Sequence, residues 1–383
     1  MPREDRLAFY VHIPYCVKRC GYCDFNTYTP AELQIQSSLT EISNSYIDLV
    51  LKEIELAREN SDAKNVPSIF FGGGTPSLMQ PKDLGRVIEK IASLYDLPDS
   101  AEVTLEANPD SVTIESLREL RSVGFNRISF GMQSAVPHVL KVLDRTHNPA
   151  NVDLAVYRAA EAGFNEISLD LIYGVPGESM EDWEKSLDAV LALPTTHVSA
   201  YALIVEEGTK LANAVKRGEI VIPDDDQTAD KYLLADEKFT KAGMDWYELS
   251  NWSKPGSECK HNLFYWWGDN WWGVGPGAHS HINGKRWWNV KHPTTYREKL
   301  LSGNPAQSSE VLSEKEREEE RVMLGIRLPE GLAKASLNSD ALTRIEGYVR
   351  DGHLGPVEWE NGRVALTRTG RLIADRIVRE LLD

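Results

Sequence analysis

Apolar, β-branched runs alternate with helix-period segments over most of this chain, and nothing else in the sequence limits the fold as strongly. The strand-like runs cover 7–13, 68–71, 102–106, 127–131, 166–172 and 198–203. Between them lie amphipathic segments. One spans 113–123, with Ile114, Leu117, Leu120 and Val123 on one face, Thr113 as N-cap and Gly124 as its stop. Another starts at Ser179, where Asp182 three residues on approximates a capping box, and runs through Trp183, Leu187 and Leu191. Six such repeats predict parallel β/α units, closed as a barrel or left as an open doubly wound sheet.

Polar motifs decide between these. Each falls at the C-terminal end of a predicted strand: a cysteine-rich loop after the first, Gly72-Gly73-Gly74-Thr75-Pro76 after the second, and Glu106 with Asn108 and Pro109 after the third. Gln133 follows the fourth, Asp170 through Pro176 ends the fifth, and Tyr201 with Ala202 ends the sixth. A barrel gathers those ends around one mouth, whereas an open sheet scatters them. The expected architecture is α/β, a partial (β/α)6-type barrel over residues 1–292. The glycine triplet suits either a close ligand approach or a tight turn. Glu106 and Asp170 sit on apolar strands, where an unpaired carboxylate is costly to bury. They are expected to face a polar or cationic ligand; the alternative is a salt bridge to Arg127 or Arg145.

The loop after the first strand carries Cys16, Cys20 and Cys23 within eight residues. Soft sulfur ligands select zinc or iron–sulfur clusters. A closed zinc site wants four ligands, usually from two separated pairs, and Cys259, the one other cysteine, is distant in sequence. Three thiolates on a four-iron cluster leave one iron open. Four cysteines arranged this way are no disulfide framework, so a reducing, cytoplasmic setting is expected. The net charge of -16 argues against nucleic acid as a partner, and no apolar run reaches membrane-spanning length.

Further along, the acidic stretch 211–230 reads as a solvated loop leading into a helix over 228–242. Eight of the ten tryptophans fall between Trp246 and Trp288, which suits either an aromatic core or an apolar surface for a flat tetrapyrrole. Residues 293–383 read as a small α+β, winged-helix-like unit: a charged helix over 313–327, a helix over 342–349, a strand over 363–367 and a terminal helix over 370–382. That fold alone implies no DNA binding.

Together these motifs resemble the oxygen-independent coproporphyrinogen III oxidase family of radical S-adenosylmethionine (radical SAM) proteins, and within it the haem-chaperone branch. The resemblance covers nearly the whole chain, from Tyr10 to Gly370. It implies a [4Fe-4S] cluster on Cys16, Cys20 and Cys23, with S-adenosylmethionine (SAM) chelating the open iron. SAM contacts would come from Tyr10, Gly73, Gly74, Thr75, Glu106, Gln133, Arg145, Asp170 and Ala202, and more weakly from His279 near the adenine. His261-Asn262-Leu263-Phe264-Tyr265-Trp266 matches the haem-associated motif of that branch, which implies haem as a cofactor and His261 as its axial ligand. Two departures separate this sequence from the oxidases. Phe25 stands where they carry a further cysteine, and the chain starts only a few residues before its first strand. Both favour a carrier that delivers haem to haem-requiring, membrane-associated proteins over an enzyme that decarboxylates coproporphyrinogen III, so no catalytic residue is assigned. A homodimer, and peripheral contact with a membrane, are compatible with this expectation.

Overall fold

The computed structural model describes residues 5–33 and 39–383. Six strands run parallel and pair in chain order: β1 Ala8–Ile13, β2 Ser68–Gly73, β3 Glu102–Ala107, β4 Arg127–Gln133, β5 Glu166–Tyr173 and β6 His197–Ala202. The sequence runs predicted each of them to within two residues.

Beyond β6 the sheet continues antiparallel through β7 Asp245–Glu248 and β8 Asn251–Ser253. On its other side β1 pairs in parallel with β9 Trp271–Val274, followed by β10 His279–Ile282, β11 Lys285–Asn289 and β12 Ala306–Val311. β1 and β6 do not pair with each other, so the barrel is partial, as expected. The sheet itself reaches residue 311, past the expected division at 292/293.

Side chains alternate across each parallel strand. Phe9, Val11, Ile69, Phe71, Val103, Leu105, Ile128, Phe130, Leu169 and Val198 point to the helix-covered side, where they join one buried apolar cluster. Phe71 and Phe125 meet edge to face there at 5.0 Å, and burying each such ring contributes about 1.5–3 kcal/mol. The alternate positions are mostly polar. Tyr10, His12, Glu102, Glu106, Arg127, Ser129, Ser168, Asp170, His197 and Ser199 line the inner face.

Local signals set the helix boundaries. Thr113 caps a helix over Ile114–Ser122 in a capping box with Ser116, and Ser179 caps Met180–Leu191 in a box with Asp182. One expectation needs correcting. The acidic stretch is no continuous loop: it holds a helix over Lys210–Lys216, capped by Thr209, and a second over Asp225–Lys241. Asp224, within the acidic run, accepts the Gln227 N–H and starts that second helix three residues earlier than expected.

After β12, Val322, Ile326, Ile345, Val364 and Ile377 belong to a second buried cluster. Helices Glu314–Gly325, Ser339–Arg350 and Ala374–Leu382 and a two-stranded ladder, β13 Leu332–Ala333 with β14 Arg363–Val364, enclose it. The predicted strand over 363–367 is therefore only two residues long.

Candidate functional site

β1 delivers the chain into the cysteine loop, and backbone bonds fix its base and its middle. The Cys16 N–H donates to the Tyr28 carbonyl at 3.0 Å, and the Gly21 N–H to the Leu143 carbonyl at 3.2 Å. All three loop cysteines are free thiols; Cys16 is buried while Cys20 and Cys23 are half-exposed. Burial pushes the Cys23 thiol up to about 11 and raises Cys16 as well.

The glycine loop closes over them from β2. Gly74 donates to the Ile13 carbonyl at 2.7 Å and Thr75 to the Tyr15 carbonyl at 2.9 Å, while the Thr75 hydroxyl lies 3.7 Å from Cys16 Sγ. A Cβ on Gly74 would stand 2.5 Å from the Tyr15 oxygen and 3.0 Å from Cys16 Sγ. Gly73 has φ +110°, open to glycine at little cost, and an added Cβ would meet the His12 ring at 2.6 Å. Of the two readings of the triplet, close approach is therefore the apt one for both glycines.

Arg145 arrives from the segment after β4. One Nη lies 3.4 Å from Cys20 Sγ and the other donates to the Gly131 carbonyl at 2.9 Å. Beside it β4 ends in an irregularity: its register with β5 shifts between Gly131 and Gln133, and Gln133 adopts φ +63°. A Cβ added at Gly131 would meet both the Arg145 guanidinium, at 2.7 Å, and the Gln133 amide, at 2.8 Å, so the two side chains share this strand end.

Glu106 accepts the Gly73 N–H at 3.0 Å, and Asp170 accepts the Ser129 hydroxyl at 3.1 Å on both oxygens. Burial, with the nearby Asp170 charge adding to it, pushes Glu106 up to about 8; burial also raises Asp170. The salt-bridge alternative does not hold for Arg127. That side chain is spoken for by Glu102 and Glu166, each at 3.7 Å, the Ser257 carbonyl at 2.9 Å and the Ser168 hydroxyl at 3.1 Å. Arg145 forms no ion pair with either carboxylate among the described residues, although its charge lowers Asp170. Two buried carboxyl groups without a direct ion-pair partner among the described residues are costly, and a cationic ligand would relieve them.

Tyr10, on the next inward position of β1, hydrogen-bonds His12 Nδ1 at 3.0 Å. His12 Nε2 meets the Asn26 carbonyl at 2.9 Å, so the strand is tied to the returning arm of the cysteine loop. Residue types gave no reason to single out His12 or Asn26; the available signal was one polar residue in each alternate position of an apolar strand. Ala202 ends β6 opposite Tyr173. Tyr10, Gly73, Gly74, Thr75, Glu106, Gln133, Arg145 and Asp170 are thus brought together with Cys16, Cys20 and Cys23.

His261 sits on a helix over Lys260–Trp266 that packs against β2, and its ring lies 6.5 Å from that of Tyr10, so it borders the same inner face. It is 2 % exposed. Its Nδ1 bonds the Ser68 hydroxyl, its Nε2 bonds the Tyr265 hydroxyl at 2.9 Å, and its ring stacks on Phe70 at 5.2 Å. Its backbone N–H donates to Glu102, and burial pushes the imidazole down to about 3. Asn262, next in the motif, donates to Glu248 Oε1 at 2.8 Å. Cys259 caps this helix, buried, with its thiol 3.5 Å from Glu102 Oε1.

The residues present fit a polynuclear cluster better than a single ion. A four-iron cluster takes one thiolate per iron, and the loop offers three thiols, with the Gly74 cradle and the Arg145 cation against them. A cavity of about 620 Å³ opens beside Cys20 and Cys23, lined also by Val17, Arg19, Glu32 and Lys210.

The model of the radical SAM superfamily matches residues 10–190. Over its full length the chain is 46% identical to the haem chaperone HemW of Mycobacterium tuberculosis, spanning 96% of that protein. It is 32% identical to HemW of Bacillus subtilis, over 96% of this chain and 97% of that one. Among solved structures, the coproporphyrinogen III oxidase HemN of Escherichia coli, a radical SAM enzyme, superposes with a TM-score of 0.82 at 21% identity. That superposition covers 99% of this chain and 90% of the other, and it speaks for the fold alone.

Proposed function

Since this chain belongs to the radical SAM superfamily and, within it, to the HemW haem chaperones, we propose that it binds haem and delivers it to haem-requiring respiratory proteins, met in the cytoplasm or at the membrane face. The observation that carries this reading is the match along the entire chain to proteins named haem chaperones. Phe25, 61% exposed at the rim of the cysteine loop, supports it, because it offers no sulfur where the oxidase pattern has one.

Cys16, Cys20 and Cys23 would hold a [4Fe-4S] cluster. When bound, such a cluster supplies one-electron chemistry and an iron open to SAM. Arg145 places a fixed positive charge against the Cys20 sulfur. Glu106 and Asp170 would take the positively charged end of SAM, with Gly73 and Gly74 clearing space for it and Tyr10, Gln133 and Ala202 bounding it. These groups bind and orient the cofactor, and in the carrier reading no residue has to move a proton.

The test is haem transfer. Anaerobically reconstituted protein loaded with haem is mixed with a haem-free b-type cytochrome, alongside Cys20→Ser protein, which a hydroxyl ligand should deprive of its cluster. Transfer from the wild type that slows in Cys20→Ser is expected. Wild-type protein that takes up no haem overturns the proposal. A parallel mixture with coproporphyrinogen III, SAM and a reductant should give no protoporphyrinogen IX; sustained conversion would replace the carrier with an oxidase.

A further inference from the structure

A histidine that ligates haem needs a free ring nitrogen, with an apolar wall for the porphyrin and a cation for its propionates within reach. His261 has no ring nitrogen free. Both its ring nitrogens are engaged, and to ligate iron it would have to leave a buried position and break bonds to Ser68 and Tyr265.

The inner face of the sheet does not stop at β1. Parallel pairing sets Trp271 beside Ala8 and Gly273 beside Tyr10, and the antiparallel pairs carry that face outward through His281 and His279 on β10 to Arg286 and Trp288 on β11. On it His279 is exposed and hydrogen-bonds through its ring to no described residue. Its imidazole stacks on Trp288, its cross-strand partner, at 5.8 Å and 21°. Trp271, half-buried, donates its indole N–H to the His279 carbonyl at 3.0 Å, fixing the backbone at this point. Lys291, exposed and without an ion pair among the described residues, lies near enough for its charge to act on the ring. Glu310, the one acidic group that also acts on the ring, faces Arg286 at 3.7 Å.

We infer that His279 is the axial ligand of the haem this chain carries, with Trp288 setting its orientation and Lys291 pairing with a propionate. The inference rests on the haem-carrier reading and gives it a site. An axial imidazole stands across the porphyrin plane, so an indole stacked on it meets the porphyrin edge-on, a favourable aromatic arrangement. Partial desolvation of the ring by its neighbours and the charge of Lys291 both disfavour protonation of His279, which keeps a lone pair available to iron. The site also has a connection to the cysteine loop. Asn26 donates from its side chain to the Pro276 carbonyl at 2.9 Å and the Lys291 carbonyl at 2.8 Å, three residues after the last loop cysteine.

Spectral titration with haem, oxidised and reduced, tests this on cluster-loaded wild type and on His279→Ala, His261→Ala and Lys291→Glu. His279→Ala should lose the histidine-ligated Soret band and bind haem roughly tenfold more weakly or worse, and added imidazole should restore the band. Lys291→Glu should weaken binding and keep the wild-type band. His261→Ala, checked for cluster content, should keep the band. SAM affinity measured on the same His279→Ala sample should stay near wild type, which separates a haem ligand from an adenine contact. A His279→Ala protein with wild-type spectrum and affinity overturns the assignment, as does loss of SAM binding with haem binding intact. A wild type that binds no haem at all sinks the carrier reading itself.

Discussion

Glu106 carries an electrostatic tension that its neighbours only partly relieve. Burial and the Asp170 charge hold its proton on up to about pH 8, against one favourable bond from the Gly73 N–H. In the unfolded chain the same carboxyl titrates in the usual carboxylate range. The folded state thus binds this proton more tightly, and the linked stability is fully present at low pH and is lost as pH rises through about 8. The melting temperature of the ligand-free protein should therefore fall as pH is raised across that window, and Glu106→Gln, which can still accept from Gly73, should flatten part of the fall. Melts of both proteins over the same pH series check it; parallel slopes would place the proton elsewhere. With SAM held as proposed the preference would reverse, since a cationic ligand needs the carboxylate. Losing one charge-assisted contact, about 1.5–3 kcal/mol, should weaken SAM binding roughly tenfold or more while haem binding holds. Equilibrium dialysis of both ligands at equal cluster content measures the split, and equal losses would mean the two sites are not separate.

At the scale of elements, the glycine loop and the cysteine loop behave as one unit, because each supplies what the other lacks. Bonds from Gly74 and Thr75 to the carbonyls of Ile13 and Tyr15 leave no room for a methyl group at position 74. Gly74→Ala should push the loops apart and lower iron and sulfide retained per chain, with far-UV circular dichroism unchanged. Gly347→Ala, in the interior of a C-terminal helix with no atom nearer than 3.8 Å, is the control. It should retain the cluster and gain up to about 1 kcal/mol of stability. Full iron content in Gly74→Ala would show that the two loops are independent. Such loops were legible in the sequence because strand ends, glycines and cysteines each carry their own chemistry, and the six parallel strands because their outer faces are continuously apolar. The strands β7 to β12 were not. In the tryptophan-rich stretch both faces carry aromatic side chains, Trp272 and Trp287 toward the core and Trp271 and Trp288 toward the inner face, so the period-two signal vanishes. The motif around His261 was legible as a motif and contains Tyr265 four residues on, but nothing local says that Ser68, 193 residues away at the start of β2, occupies the other ring nitrogen.

For the whole molecule, the consequence of an unclosed barrel is a sheet with two margins, and the C-terminal unit holds both. At one margin Arg286 of β11 pairs with Glu320 on the helix Glu314–Gly325, and the Arg317 guanidinium bonds the Leu312 carbonyl beside Gly284. That helix packs against Ala374–Leu382. At the other margin, Arg371 donates to Asp236 at 2.7 Å and lies over the Trp246 ring of β7 at 3.8 Å, while Arg368 reaches the same carboxylate at 3.2 Å. Asp236 also accepts the indole N–H of buried Trp252 on β8 at 2.9 Å. The unit is therefore a strap across the opening, and its ties at the β7–β8 margin converge on one buried carboxylate. Removing Asp236 takes the ion pair from Arg371 and the acceptor from the Trp252 indole, while Arg368 keeps the Leu233 carbonyl; breaking a largely buried pair by deleting one partner costs about 3–5 kcal/mol. Arg371→Ala leaves Asp236 with Arg368 and Trp252 and should cost less, on the order of 1–3 kcal/mol. The informative readout is position. Hydrogen exchange in Arg371→Ala should quicken in β7, β8 and the C-terminal helices, while β2 to β4 stay protected and the cluster stays bound. Uniform quickening over the whole sheet would mean that the C-terminal unit and the barrel unfold together and that no strap exists.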